Sequence, residues 1–132
     1  MTEVDKKLIA EAKRVREFAY CPYSNFAVGA AVLGESGTIY GGCNVENASF
    51  SVTNCAERTA IYKAVSAGEK DILALAVVAQ GAEPVPPCGA CRQVIAEFNI
   101  PHILMANLAD DVVEMTLDEL LPGAFSASNL EE

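Results

Sequence analysis

Ile72-Leu73-Ala74-Leu75-Ala76-Val77-Val78-Ala79 leads, through a proline-rich connection, into Pro87-Cys88-Gly89-Ala90-Cys91-Arg92. The first run is apolar at every position, rich in Val and Leu, and shows no alternation. A run of that kind reads as a central strand buried on both faces. Residues 81–87 hold three prolines and one glycine and read as loop. A helix from about residue 89 to 98 follows, with Val94, Ile95 and Phe98 facing inward. A strand buried on both sides needs helices above and below it, which sets the class as α/β. Ligands in such sheets gather beyond the carboxyl ends of strands, where this loop and its two cysteines lie.

The flanking sequence fits the same plan. Residues 3–20 carry Leu8, Ile9, Ala12, Val15 and Ala19 at helical spacing, with Pro22 as the expected stop. Phe26 to Leu33 is an apolar run of strand length, Glu35-Ser36-Gly37 supplies a turn, and Thr38 to Cys43 returns as the second strand of a hairpin. Residues 44–53 are rich in Asn and Ser and read as loop; residues 54–67 return to helical spacing until Gly68. His102 to Asn107 and Val112 to Met115 read as strands, and Thr116-Leu117-Asp118-Glu119 as a capping box opening a short last helix before Pro122-Gly123. The whole of 1–132 reads as one domain with a mixed sheet covered on both faces.

Composition narrows the function. At 52% hydrophobic, a chain of 132 residues has a core of its own and does not depend on disulfides. The five cysteines are an odd set, no secretory leader or membrane-length apolar run is visible, and the reading is a soluble, reduced, cytoplasmic protein. The formal charge is −9 and no basic stripe is present, which argues against a nucleic-acid polymer as partner.

Cys88 and Cys91, three apart at a helix start, can point both sulfurs at one ion while the helix dipole favours their thiolates. Cys55 is the natural third ligand. The spacing admits catalytic zinc, structural zinc with Cys43 or Cys21 as a fourth ligand, or no metal at all. Glu57 is open in the same way. Asn54-x-x-Glu57 fits a capping box, and Glu57 converges with Cys55 on one centre only if Cys55 sits at the helix mouth. Three protein ligands leave a zinc position for water, lower its pKa from about 15.7 to about 7, and pair naturally with a carboxylate that moves protons. Three thiolates leave Zn²⁺ with a net negative charge, which makes Arg58 the candidate compensating cation.

Cys55-Ala56-Glu57 followed by Pro87-Cys88-x-x-Cys91 resembles the zinc-dependent nucleoside and nucleobase deaminases. Pro22-Tyr23-Ser24-Asn25-Phe26-Ala27-Val28-Gly29-Ala30, Gly42-Cys43-Asn44-Val45-Glu46-Asn47-Ala48-Ser49 and Leu120-Leu121-Pro122-Gly123-Ala124-Phe125 narrow the resemblance to the homotetrameric cytidine deaminases, from about residue 8 to 125. The resemblance implies a three-layer α/β/α sandwich with a five-stranded mixed sheet. It implies hydrolysis of cytidine and 2′-deoxycytidine to the uridines with release of ammonia, in pyrimidine salvage. It implies one Zn²⁺ per subunit on Cys55, Cys88 and Cys91, with Glu57 shuttling protons to ring N3 and the leaving amine. By the same resemblance Asn44 and Glu46 bind the ribose hydroxyls, Phe26 packs on the base, and backbone around Cys55 and Ala56 reads the pyrimidine edge. Arg58 matches a charge-compensating arginine, Gln93 a position near the metal, and Phe125 an aromatic that closes a neighbouring subunit's pocket.

Phe50 stands where the family often has Tyr, and Cys21 and Cys43 are extra thiols without an assigned role. The rival readings are deamination of a cytosine-nucleoside antibiotic of the blasticidin S type and a non-catalytic module built on a four-cysteine zinc.

Overall fold

The computed structural model describes residues 1–131. Its elements are α1 (Glu3–Arg16), β1 (Val28–Gly34), β2 (Ile39–Cys43), α2 (Ala56–Ser66), β3 (Ile72–Ala79), α3 (Gly89–Glu97), β4 (His102–Ala106), β5 (Val112–Thr116) and α4 (Leu117–Leu120). Short 3₁₀ turns lie at Phe50–Val52 and Ala127–Leu130. The sheet order is β2-β1-β3-β4-β5, which puts the apolar run 72–79 in the middle. β1 pairs antiparallel with both β2 and β3, β3 pairs parallel with β4, and β4 pairs antiparallel with β5. The one parallel pair requires a crossover, and α3 supplies it.

Successive residues of β3 serve two cores. Leu75 and Val77 join Ala30, Val32, Ile103 and Met105 beneath α2, α3 and α4. Ala74, Ala76 and Val78 join Ala31, Leu104 and Ala106 beneath Leu8, Ile9 and Ala12 of α1. The sheet is therefore covered on both faces, as the missing alternation in 72–79 requires; only Leu73, near the strand's start, is exposed. The second face is built of small side chains, and α1 lies close on it. A Cβ at Gly29 would stand 1.9 Å from the Ala12 carbonyl oxygen. α2 also lies close on the hairpin, since a Cβ at Gly42 would stand 2.5 Å from the Ala60 nitrogen.

The N-terminal helix is shorter than its periodicity suggests. It ends at Arg16, well before Pro22, because the following residues are taken up by pairing. The Phe18 and Ala19 N–H groups bond three residues back, tightening the last turn, and Tyr20 pairs with the segment around Val45. Phe26 and Ala27 likewise stand outside β1. Asn25 adopts φ 57°, and the Asn44 side chain takes the Phe26 carbonyl (2.8 Å) and the Val28 N–H (2.9 Å) in place of a strand partner. The Thr116–Glu119 capping box forms reciprocally, at 3.2 Å and 3.0 Å.

Candidate active site

Cys55 is the N-cap of α2 and Cys88 the N-cap of α3, both with extended backbone and neither using its side chain to cap. Cys91 lies in the first turn of α3 and is fully buried. The two helix mouths thus face each other across the carboxyl end of β3. The Cys55 and Cys88 sulfurs are 3.9 Å apart, and all three sulfurs lie within 4.8 Å of one another. Zn–S bonds of about 2.3 Å put the corners of a tetrahedron about 3.8 Å apart, so the donor set fits zinc without rearrangement of the helices. Cys43, opposite Gly29 at the end of β2, is outside the group. Among the described residues the cluster offers three thiols, and the four-cysteine reading lacks its fourth.

The charge of the set is offset locally. Arg58 Nη2 donates to Cys55 Sγ (3.3 Å) and to the Thr53 carbonyl (3.4 Å). The Cys91 thiol, followed by this guanidinium, holds the Cys55 thiol well below its ordinary range. The same contact, with burial, drives Cys91 upward.

Glu57 is the second residue of α2 and 5% exposed. The Asn54-x-x-Glu57 capping box does not form. Cys55 occupies the N-cap position, and the Asn54 amide donates to Thr59 Oγ1 (3.0 Å). Glu57 is released from capping and turned inward. Burial, reinforced by the Cys55 charge, raises its carboxyl to about 7. A carboxyl poised there both accepts and returns protons near neutral pH.

A cavity of about 300 Å³ opens above these residues. Cys55, Ala56, Glu57 and Cys88 line its floor. Phe26, Asn44 and Glu46 line its wall, so the structure gathers the residues that sequence assigned to base and sugar around one space. Asn44 is buried and spends half its amide on the Phe26 carbonyl and the Val28 N–H, leaving one N–H and one acceptor site. Glu46 Oε1 accepts the Tyr23 N–H (2.9 Å) and the Ser24 N–H (3.1 Å), while Oε2 accepts the Ser24 hydroxyl. The Ser24 hydroxyl, followed by these N–H groups, outweighs partial desolvation and holds the carboxyl below its ordinary range. Sequence reading missed Ser24, Thr53, Val85 and Pro86, all of which line the cavity. The position of Val85 and Pro86 just ahead of Cys88 is a signal that was available.

A family model described as the cytidine and deoxycytidylate deaminase zinc-binding region matches residues 2–107. The chain belongs to that family. It is 60% identical over 128 residues to a cytidine deaminase of Sporosarcina psychrophila, covering 95% of this chain and 93% of that one. It is 54% identical over 127 residues to a cytidine deaminase of Halalkalibacterium halodurans, covering 95% and 96%. The crystal structure of cytidine deaminase from Burkholderia pseudomallei superposes with a TM-score of 0.88 at 47% identity, covering 95% of this chain and all of that one.

Two positions that the deaminase family resemblance singled out lie apart from this cavity. Phe125 is 58% exposed, and Gln93 Nε2 donates to its carbonyl (2.8 Å), tying the C-terminal segment to α3. Arg92, which sequence reading passed over, bonds the Pro87 carbonyl (2.9 Å) and the Leu120 carbonyl (2.8 Å), and so braces the loop that delivers Cys88. Phe50 is exposed and packs edge-on to Tyr23 at 5.7 Å. His102, at the start of β4, pairs with Asp5 (3.2 Å), whose other oxygen accepts the Thr2 N–H. With Glu114 these two form a second group of potential ligands. The hydrogen bond to His102 and the α1 cap account for Asp5 and His102 as fasteners of α1 to β4.

Proposed function

We propose that this protein hydrolyses cytidine and 2′-deoxycytidine to uridine and 2′-deoxyuridine, releasing ammonia. The observation that carries the reading is the convergence of three thiols and a buried, non-capping Glu57 on the floor of a cavity walled by Asn44 and Glu46. Zinc held by Cys55, Cys88 and Cys91 supplies Lewis acidity that makes water nucleophilic near neutral pH. Glu57 carries one proton of the attacking water to ring N3 as the oxygen bonds C4; it then takes the second proton from the C4 hydroxyl and gives it to the amine as the C4–N bond breaks, leaving the C4 carbonyl and ammonia. Burial raises its carboxyl, which favours holding a proton between the two transfers. Arg58 keeps the Cys55 sulfur charged and oriented. Phe26 offers a face for the pyrimidine. Asn44 donates to, and Glu46 accepts from, a sugar hydroxyl, and backbone at Cys55 and Ala56 borders the base edge.

The active form is a homotetramer in the cytoplasm with one zinc per subunit, working in pyrimidine salvage. An exposed Phe125, held in place by Gln93, supports its insertion into a neighbour's pocket. Thiol ligands need a reducing compartment, which supports the cytoplasm. Among the described residues no helix is long and apolar enough to cross a membrane. The direct test follows cytidine conversion by absorbance on purified protein, with zinc content and sedimentation mass measured on the same sample. No uridine formation by protein carrying one zinc per chain would overturn the reading.

A further inference from the structure

The Ser24 hydroxyl stands between two parts of the cavity wall that come from separate segments of the chain. It donates to Glu46 Oε2 and accepts the Phe26 N–H (3.0 Å). Its own N–H joins that of Tyr23 on Glu46 Oε1. The turn that carries it is fixed at both ends. The Asn25 N–H bonds the Cys21 carbonyl (2.9 Å), Asn25 holds φ 57°, and the Glu46 N–H bonds the Tyr20 carbonyl (2.8 Å). Ser24 and Glu46 both line the cavity.

A carboxylate offers about four acceptor sites. Three of those on Glu46 are taken by the 23–24 turn, and a side chain with three donors in fixed positions has one orientation. We infer that Ser24 is a positioning residue for sugar recognition: its hydroxyl fixes the Glu46 carboxylate so that a single remaining acceptor site meets a nucleoside hydroxyl. This rests on the reading of Glu46 as the sugar-binding carboxylate. Without the Ser24 hydroxyl, Oε2 loses its only side-chain donor and the carboxylate is free to turn about its remaining backbone bonds. The Phe26 N–H loses its acceptor as well, so any effect on the base side of the cavity must be separated from the effect on Glu46.

Comparing two substrates makes that separation. Cytidine has sugar hydroxyls that can donate to Glu46; 2′,3′-dideoxycytidine lacks them at C2′ and C3′. Ser24→Ala, assayed as zinc-loaded protein, is expected to raise KM for cytidine roughly tenfold, as befits loss of order around one charged hydrogen bond. kcat for cytidine changes much less, and kcat/KM for dideoxycytidine stays within about twofold, since that substrate never used the carboxylate. Ser24→Thr, which keeps the hydroxyl, is expected to restore the cytidine KM. Equal losses on both substrates, or no loss on cytidine with the fold intact by circular dichroism, would overturn the inference. Glu46→Gln run in parallel distinguishes the two levels. If it too affects both substrates alike, the sugar-binding reading itself fails; if it affects cytidine alone while Ser24→Ala does not, only the role of Ser24 fails.

Discussion

Gly42 links the packing of the fold to the geometry of the metal site. It lies in β2 opposite Ala30, directly under α2. A Cβ there would meet the Ala60 nitrogen at 2.5 Å, the Thr59 carbonyl carbon at 2.9 Å and Thr59 Cβ at 2.9 Å. Two of the three are backbone of a helix and cannot rotate away. To reach the 3.4 Å at which ordinary contact begins, α2 must retreat by about 0.9 Å from the 2.5 Å contact. Overpacking costs about 1–3 kcal/mol, and a backbone obstacle puts Gly42→Ala in the upper half of that range. At roughly 4 °C per kcal/mol for a chain of this length, the melting temperature falls by roughly 10 °C. The retreat also moves the N-terminus of α2, which carries Cys55, Glu57 and Arg58, against a stationary α3. A displacement near 1 Å at reacting groups can cost on the order of 100-fold in rate. Gly89→Ala is the matched control in the same site. Among the described residues no atom beyond its chain neighbours and its own helix backbone lies within 4 Å of an added Cβ, and its φ is not positive, so stability should rise by about 0.4–1 kcal/mol with zinc content unchanged. Thermal melting and cytidine turnover on both variants provide the assay. A Gly42→Ala protein melting within about 2 °C of the parent, or one equal in effect to Gly89→Ala, would refute close helix–hairpin packing as the support of the site.

Cys91→Ser should release the metal, whereas Cys43→Ser should keep one zinc per chain by metal analysis; loss of zinc from Cys43→Ser would revive a four-cysteine centre. Glu69 accepts bonds from Ser36 and from the Tyr40 hydroxyl (2.7 Å) at the turn end of the β1–β2 hairpin. The Ser36 hydroxyl, followed by that of Tyr40, holds its carboxyl below the ordinary 4.5. Because the folded form titrates lower than the unfolded one, its stabilisation is complete above about pH 4.5 and is lost as pH falls through the lower folded value. The gap in urea midpoint between parent and Glu69→Gln should therefore be wide at pH 7 and narrow at pH 3; a constant gap would show that the charge is not involved.

What could be read in the chain depended on whether partners were local. β3 was legible because an unbroken apolar run of strand length has few other solutions. Cys88 and Cys91 were legible as a pair because C-x-x-C is a short local pattern, whereas Cys55, 33 residues from Cys88, joined them firmly only through the family resemblance. The end of α1 was not, because helical periodicity continues to Ala19 while the backbone is diverted by Tyr20 pairing with a segment more than twenty residues away. Glu57 was ambiguous for a related reason. Asn54 and Cys55 competed for one N-cap position; Asn54 is held in backbone pairing with Val45, nine residues earlier, and Cys55 takes the cap. Ser24 and Arg92 each have a near partner, Phe26 and Pro87, but the partners that tie them to a separate segment, Glu46 and Leu120, lie 22 and 28 positions off, beyond the reach of any local pattern.

The proposed division of labour between three ligating thiols and one proton-moving carboxyl is tested most directly by Glu57→Gln, which preserves shape and removes the titrating group. Zinc per chain and the steady-state rate of cytidine deamination should be measured on one preparation. Zinc should remain at one per chain while the rate falls by about 10²–10⁴, the usual contribution of a positioned acid–base. A rate within a few-fold of the parent, or loss of zinc together with activity, would contradict the placement of Glu57 beside the metal as its proton carrier.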